Sequence, residues 1–205
     1  MRLAGYWLGA VLAGAMVLGG SACGADADDK DTNPPPGLQT VADAGTVLTL
    51  TDAQIARVLQ VANEGEVMLG NFGAPLATDP AVRDFNTAMV TEHTAARQRL
   101  DAFLQSQGIT PEDSPLSLQL QAEVQQMMEI LQGPEAPQGA AFDLALMSAQ
   151  LNAHARTAFI GDSLLTPQVT LPAMAQELQT QRQQVQIHIQ EAEALQTRLL
   201  PIPPP

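Results

Sequence analysis

Four stretches of this 205-residue chain repeat apolar side chains every three to four residues, and each repeat is interrupted once by an ionisable side chain. Spacing of that kind gathers the apolar residues on one face of an α-helix. The first stretch runs from about Asp52 to Ala77. Thr51 and Gln54 form a capping box at its start, and Ile55, Leu59, Ala62, Leu69 and Leu76 share a face. The second, from about Pro80 to Gln107, lies between an Asp79 cap and a Gly108 stop and buries Val82, Phe85, Met89, Ala96, Leu100 and Phe103. Ser114 and Pro115 open a shorter helix that ends near Leu131, ahead of Gly133 and Pro134. A third long stretch covers about Ala140 to Gly161, with Leu144, Met147, Leu151 and Ala158 on one side. The fourth begins between Pro167 and Pro172, ends near Leu200, and carries Leu171, Met174, Leu178, Val185, Ala192, Leu195 and Leu199 at 3-4 spacing.

Strand signals are nearly absent, with an aromatic content of only 3% and many Ala, Gln, Leu and Glu residues. Two helices, a long connection holding a short helix, and two more helices predict an all-α fold. The architecture expected over residues 49–200 is a ferritin-like four-helix bundle, with the short extra helix in the crossover between the second and third long helices.

The interruptions are the informative positions. His93 takes the slot between Met89 and Ala96, His188 the slot between Val185 and Ala192, and His154 the slot between Leu151 and Ala158. The first helix places Glu66 between Ala62 and Leu69. Each of the four lies within roughly four residues of its helix's midpoint, on the order of 6 Å of axial rise, so they are expected to meet at the bundle centre. An ionisable group there needs a partner or a metal, because an isolated buried charge is costly.

Two readings follow. Three imidazoles and a carboxylate, Glu66, His93, His154 and His188, suit a mononuclear transition-metal site for Zn, Fe or Cu. The same groups also suit a hydrogen-bonded network, with Glu66 pairing a histidine and fixing helix register. A di-iron centre is disfavoured: it needs Glu-x-x-His on two helices, and the residues three before the histidines are Val90, Leu151 and Val185. Glu92 adjoins His93 but is expected to point elsewhere. Asp143, far along the axis from His154, and Glu191, one turn after His188, are secondary candidate ligands. No HExxH, P-loop or dinucleotide motif is present, and Ser148 and Ser163 have no spacing to a base, so no catalytic residue is assigned. The eight methionines read as packing.

Ahead of the helices, residues 1–22 have one basic residue, Arg2, an apolar run from Leu3 to Leu18, and small residues before Cys23. That is the layout of an export signal, and Gly20, Ser21 and Ala22 before the only cysteine resemble a bacterial lipobox, although leucine is usual where Gly20 stands. Lipidation is therefore expected at Cys23, with membrane attachment at the periplasmic face; a free cysteine behind an ordinary signal is the other reading. Residues 23–48 form an acidic, proline-rich tether and residues 201–205 a proline tail. Loss of residues 1–22 removes one of the 9 basic side chains and none of the 22 acidic ones, shifting the net charge from −13 to −14. That balance argues against nucleic acid and against electrostatic docking on anionic lipid, leaving the acyl chains on Cys23 as the membrane anchor; an envelope protein is the partner that a structural or interaction module would have.

ANEGEVMLGNF (62–72), VRDFNTAMVTEHTAA (82–96), GAAFDLALMSAQLNAHARTAF (139–159) and HIQEAEAL (188–195) resemble an exported bacterial family catalogued as domain of unknown function 4142. The resemblance implies a ferritin-like fold, export or lipid anchoring, no established activity, and Glu66, His93, Asp143, His154 and His188 as characteristic polar positions. Glu92 stands where that family commonly has Asp, and Gln183 replaces a proline often found before the last histidine.

Overall fold

The computed structural model describes residues 48–200. The expected signal segment, Cys23, the tether apart from Leu48, and the proline tail lie outside the described residues. The regular elements of the described residues are all helical: α1 (Asp52–Gly73), α2 (Pro80–Gln107), α3 (Pro115–Gln132), α4 (Ala140–Ile160), a π-helical turn (Gly161–Leu165) and α5 (Pro172–Leu199), with no strand among them.

Local chemistry sets the helix ends. Thr51 Oγ1 accepts from the Gln54 amide at 3.2 Å while its own amide donates to Gln54 Oε1 at 3.1 Å, which satisfies two donors that would otherwise lack partners at the start of α1. Asp79 Oδ1 accepts from the Ala81 amide at 2.8 Å at the start of α2, whose first residue is Pro80. The same helix stops where Gly108 turns left-handed at φ 65°.

Side-chain pairs fix the helix directions. α1 and α2 run antiparallel, since Gln60 meets Asp101 and Asn63 meets His93. α4 and α5 are antiparallel through Arg182–Asp162 and Gln196–Ser148. α1 opposes α4 through Glu66–His154, and α2 opposes α5 through Glu92–His188 and Asp79–Arg198. The long helices therefore alternate around their neighbours, with α2 and α4 parallel across the diagonal, where Asn86 receives a hydrogen bond from Gln150. α3 lies in the connection that this arrangement requires. At 18 residues it is longer than a linker turn, and its buried Leu116, Leu120, Met128 and Leu131 pack into the same core. Gly70 allows a close approach of α1 to α2: a Cβ there would lie 2.7 Å from the Asn86 carbonyl oxygen and 2.8 Å from Val90 Cγ2.

The apolar core is divided in two. One part gathers Ile55 and Leu59 of α1, Leu100 and Leu104 of α2, Ile160 of α4, and Met174 and Leu178 of α5. The other gathers Leu69 of α1, Val82, Phe85 and Met89 of α2, Leu146 and Met147 of α4, and Ala192 of α5. Between them lies a buried polar belt that contains Asn63, Glu66, His93, His154, Gln181 and His188.

Some details depart from the sequence expectation, among them Phe103, which is half-buried while Leu104 takes the core position. Leu76 is 51% exposed, because α1 ends at Gly73 and the chain turns before Leu76 can reach the stripe. In α4, Leu144 and Leu151 are only half-buried, and Phe142, Leu146, Gln150 and His154 face the interior instead.

Candidate metal centre

His93 is held at the middle of α2, His154 on α4 and His188 on α5, and three ring nitrogens converge from these separate helices. His93 Nε2 lies 3.3 Å from His154 Nε2 and 3.3 Å from His188 Nδ1, and the last two are 3.1 Å apart. All three residues are buried, at 7%, 0% and 1% exposure. Tetrahedral bonding with metal–nitrogen distances of about 2.0–2.1 Å places ligand nitrogens about 3.3–3.4 Å apart, close to this triangle.

The outward nitrogens decide which inward ones carry protons. His154 Nδ1 lies 2.8 Å from the Gln150 carbonyl, which can only accept, so this nitrogen carries the hydrogen and Nε2 is left with a lone pair. His93 Nδ1 lies 3.0 Å from Asn63 Oδ1. The Asn63 amide is oriented in turn, because its Nδ2 donates to the Leu59 carbonyl at 2.7 Å and to Gln181 Oε1 at 3.0 Å. Gln181 is oriented by donating from Nε2 to Glu177 Oε1 at 2.8 Å. A chain that begins at a carboxylate therefore makes Asn63 Oδ1 the acceptor and leaves His93 Nε2 bare. His188 Nε2 lies 3.0 Å from Glu92 Oε2, an acceptor that favours the same outcome. It also lies 2.9 Å from Gln184 Nε2, which favours the opposite tautomer.

Two lone pairs at 3.3 Å repel unless a cation or a donated proton lies between them. Protonating His93 and His154 is opposed by their surroundings. Burial, followed by the positive charge that His154 and His188 would carry, depresses the His93 pKa to about 2. Burial pulls His154 down to about 4, against the raising effect of its bond to Gln150 and with help from His188. Chemically, the three converging ring nitrogens are a donor set that could hold a metal ion.

The remaining sequence candidates take other places. Glu66 is buried, and its Oε1 reaches His154 Nδ1, the outward nitrogen, at 3.2 Å; Oε2 has no hydrogen-bond partner. Burial raises the Glu66 pKa well above the usual carboxylate value. Among the described residues, the group able to close around one ion consists of the three histidines, without Glu66. Asp143 is buried in a structural role, accepting from the Thr78 amide and hydroxyl and from the Asp79 amide, so it braces the α1–α2 turn. Glu191 is exposed and lies outside the histidine group. Glu92, expected to point elsewhere, reaches across from α2 to His188.

Asn63, Gln150 and Gln181 escaped the sequence reading. Asn63 and Gln150 could have been found: each is a polar residue three or four positions before a stripe ionisable group, Glu66 or His154, and so shares its face.

Residues 37–195 match the family described as Domain of unknown function (DUF4142). The chain belongs to this family. The DUF4142 match contains all three histidines as well as Asn63, Glu66 and Glu92, so the centre and its supports lie within the matched segment. No match was found among curated proteins or solved structures.

Proposed function

We propose that this DUF4142 protein is a lipid-anchored envelope protein that binds one transition-metal ion, Zn, Fe or Cu, in the core of a ferritin-like four-helix bundle. His93 Nε2, His154 Nε2 and His188 Nδ1 are the ligands. The observation that carries this reading is the triangle of inward nitrogens, backed by acceptors on the outward nitrogens. Metal-bound histidines are commonly held by such acceptors, which set the tautomer and strengthen the donor. Glu66 and Glu92 hold the backs of His154 and His188. The antiparallel neighbours with a parallel α2–α4 diagonal support the ferritin-like connectivity. Anchoring at Cys23 and exposure to the periplasm are supported by the layout of residues 1–23. No helix among the described residues is long and apolar enough to cross a membrane.

A second reading rests on the Gln184 contact. If Gln184 donates to His188 Nε2, then His188 Nδ1 carries the hydrogen and shares it with the other two rings. The centre is then a metal-free network that fixes helix register, in a non-enzymatic module that binds an envelope partner. Elemental analysis of untagged protein from metal-supplemented medium separates the two. Metal near one equivalent in the wild type, and none in a His93→Ala, His154→Ala double variant, supports the centre. No metal in either would leave the network.

A further inference from the structure

The core is packed unequally on the two sides of the histidine triangle. Toward the end that holds the termini of α1 and α5 nearest the start of each, the positions about one turn from Glu66, His93, His154 and His188 are Ala62, Ala96, Thr157 and Val185, all small or β-branched. Toward the other end the positions one turn away are Leu69, Met89, Gln150 and Ala192, with Met147 one turn beyond Gln150, all fully buried, while Phe85 packs its ring edge-on to His188. Interiors are normally filled to crystal-like density, so a layer of small side chains opposite a filled one leaves space on one side only. That space exists: a cavity of about 210 Å³ is lined by Ala62, Ala96, Thr157 and Val185, and also by His93 and Glu66. Glu66 is 3% exposed, and its Oε2 lacks a hydrogen-bond partner, which is rare for a buried polar atom. A cavity of this size with polar groups in its wall can admit water and small solutes.

Resting on the metal reading above, we propose that this cavity is a ligand-binding site. It gives a small exogenous donor, water or hydroxide at rest and replaceable by a small anion, access to an open coordination position on the metal, with Glu66 Oε2 available to hydrogen-bond it. Three protein ligands plus one exchangeable position distinguish reactive metal sites from closed structural ones. The small side chains at 62 and 96 are what keep the position open.

The test uses the full chain in detergent, loaded with Co(II), whose visible bands report coordination, and titrated with azide. The expected result is one bound Co(II) whose bands shift saturably with azide. An Ala96→Leu variant, which fills the cavity, should bind Co(II) with the same stoichiometry and lose the azide response. If circular dichroism shows that Ala96→Leu does not fold, the milder Ala62→Val replaces it, with the same expected loss. Bound Co(II) that ignores azide in the wild type, or an undiminished response in the folded filled variant, overturns the cavity proposal while leaving the metal centre standing. Failure to bind Co(II) at all overturns the metal centre, and the proposal with it.

Discussion

Acid should destabilise the metal-free protein through its buried histidines. In the folded state His93 is held near pKa 2 and His154 near 4, while in the unfolded chain both return to about 6.5. Below pH 6.5 the unfolded state therefore binds protons that the native state refuses. The stabilisation is full above that pH and is lost as pH falls, at up to about 1.4 kcal/mol per pH unit for each histidine. Between pH 7.5 and 4.5 the two together amount to a loss of about 5 kcal/mol, comparable with the whole stability of many domains. Glu66, raised by burial, holds a proton that the unfolded chain releases, and so offsets part of this loss. Surface carboxylates also titrate in this range, so the discriminating quantity is a difference. Urea denaturation in the presence of a chelator, followed by circular dichroism at several pH values, should show the wild type losing about 2–3 kcal/mol more than a folded His93→Gln variant over this interval. Parallel pH profiles for the two proteins would refute the reasoning, because they would mean that His93 titrates alike in the folded and unfolded states.

Other substitutions probe separate links in the account. Asn63→Leu removes the acceptor behind His93 and should weaken metal affinity by about 10- to 100-fold in a chelator competition while stoichiometry at saturation stays unchanged. Asp143→Ala removes three hydrogen bonds at the α1–α2 turn and should cost about 2–4 kcal/mol in urea denaturation without changing metal content; lost metal in the folded variant would return Asp143 to the ligand set. Gly70→Ala drives a Cβ against the Asn86 carbonyl and should destabilise the fold by about 1–3 kcal/mol, read as a lower urea midpoint.

The helices and the meeting of the three histidines were legible in the sequence because both depend on periodicity and helix length, which a single chain displays. The α2 limits agree from cap to stop, since Asp79, Pro80 and Gly108 each act locally. The roles of the carboxylates were harder to read. Glu66 shares a face with the ligands on a helical wheel, but whether its oxygen enters the triangle or stops behind His154 depends on interhelical distance, which spacing along one chain does not encode. Glu92 lies off its own helix's apolar stripe, and only the placement of α5 beside it turns that position toward His188. Gln181 stands on the α5 stripe between Leu178 and Val185, but it acts two hydrogen bonds away from His93, through Asn63, and spacing does not give it that partner.

X-ray absorption at the metal edge of the loaded protein tests the central claim most directly. The account predicts three imidazole nitrogens at about 2.0–2.1 Å with one further light-atom ligand. A shell composed only of oxygen, or a spectrum unchanged in a folded His154→Ala variant, would contradict it.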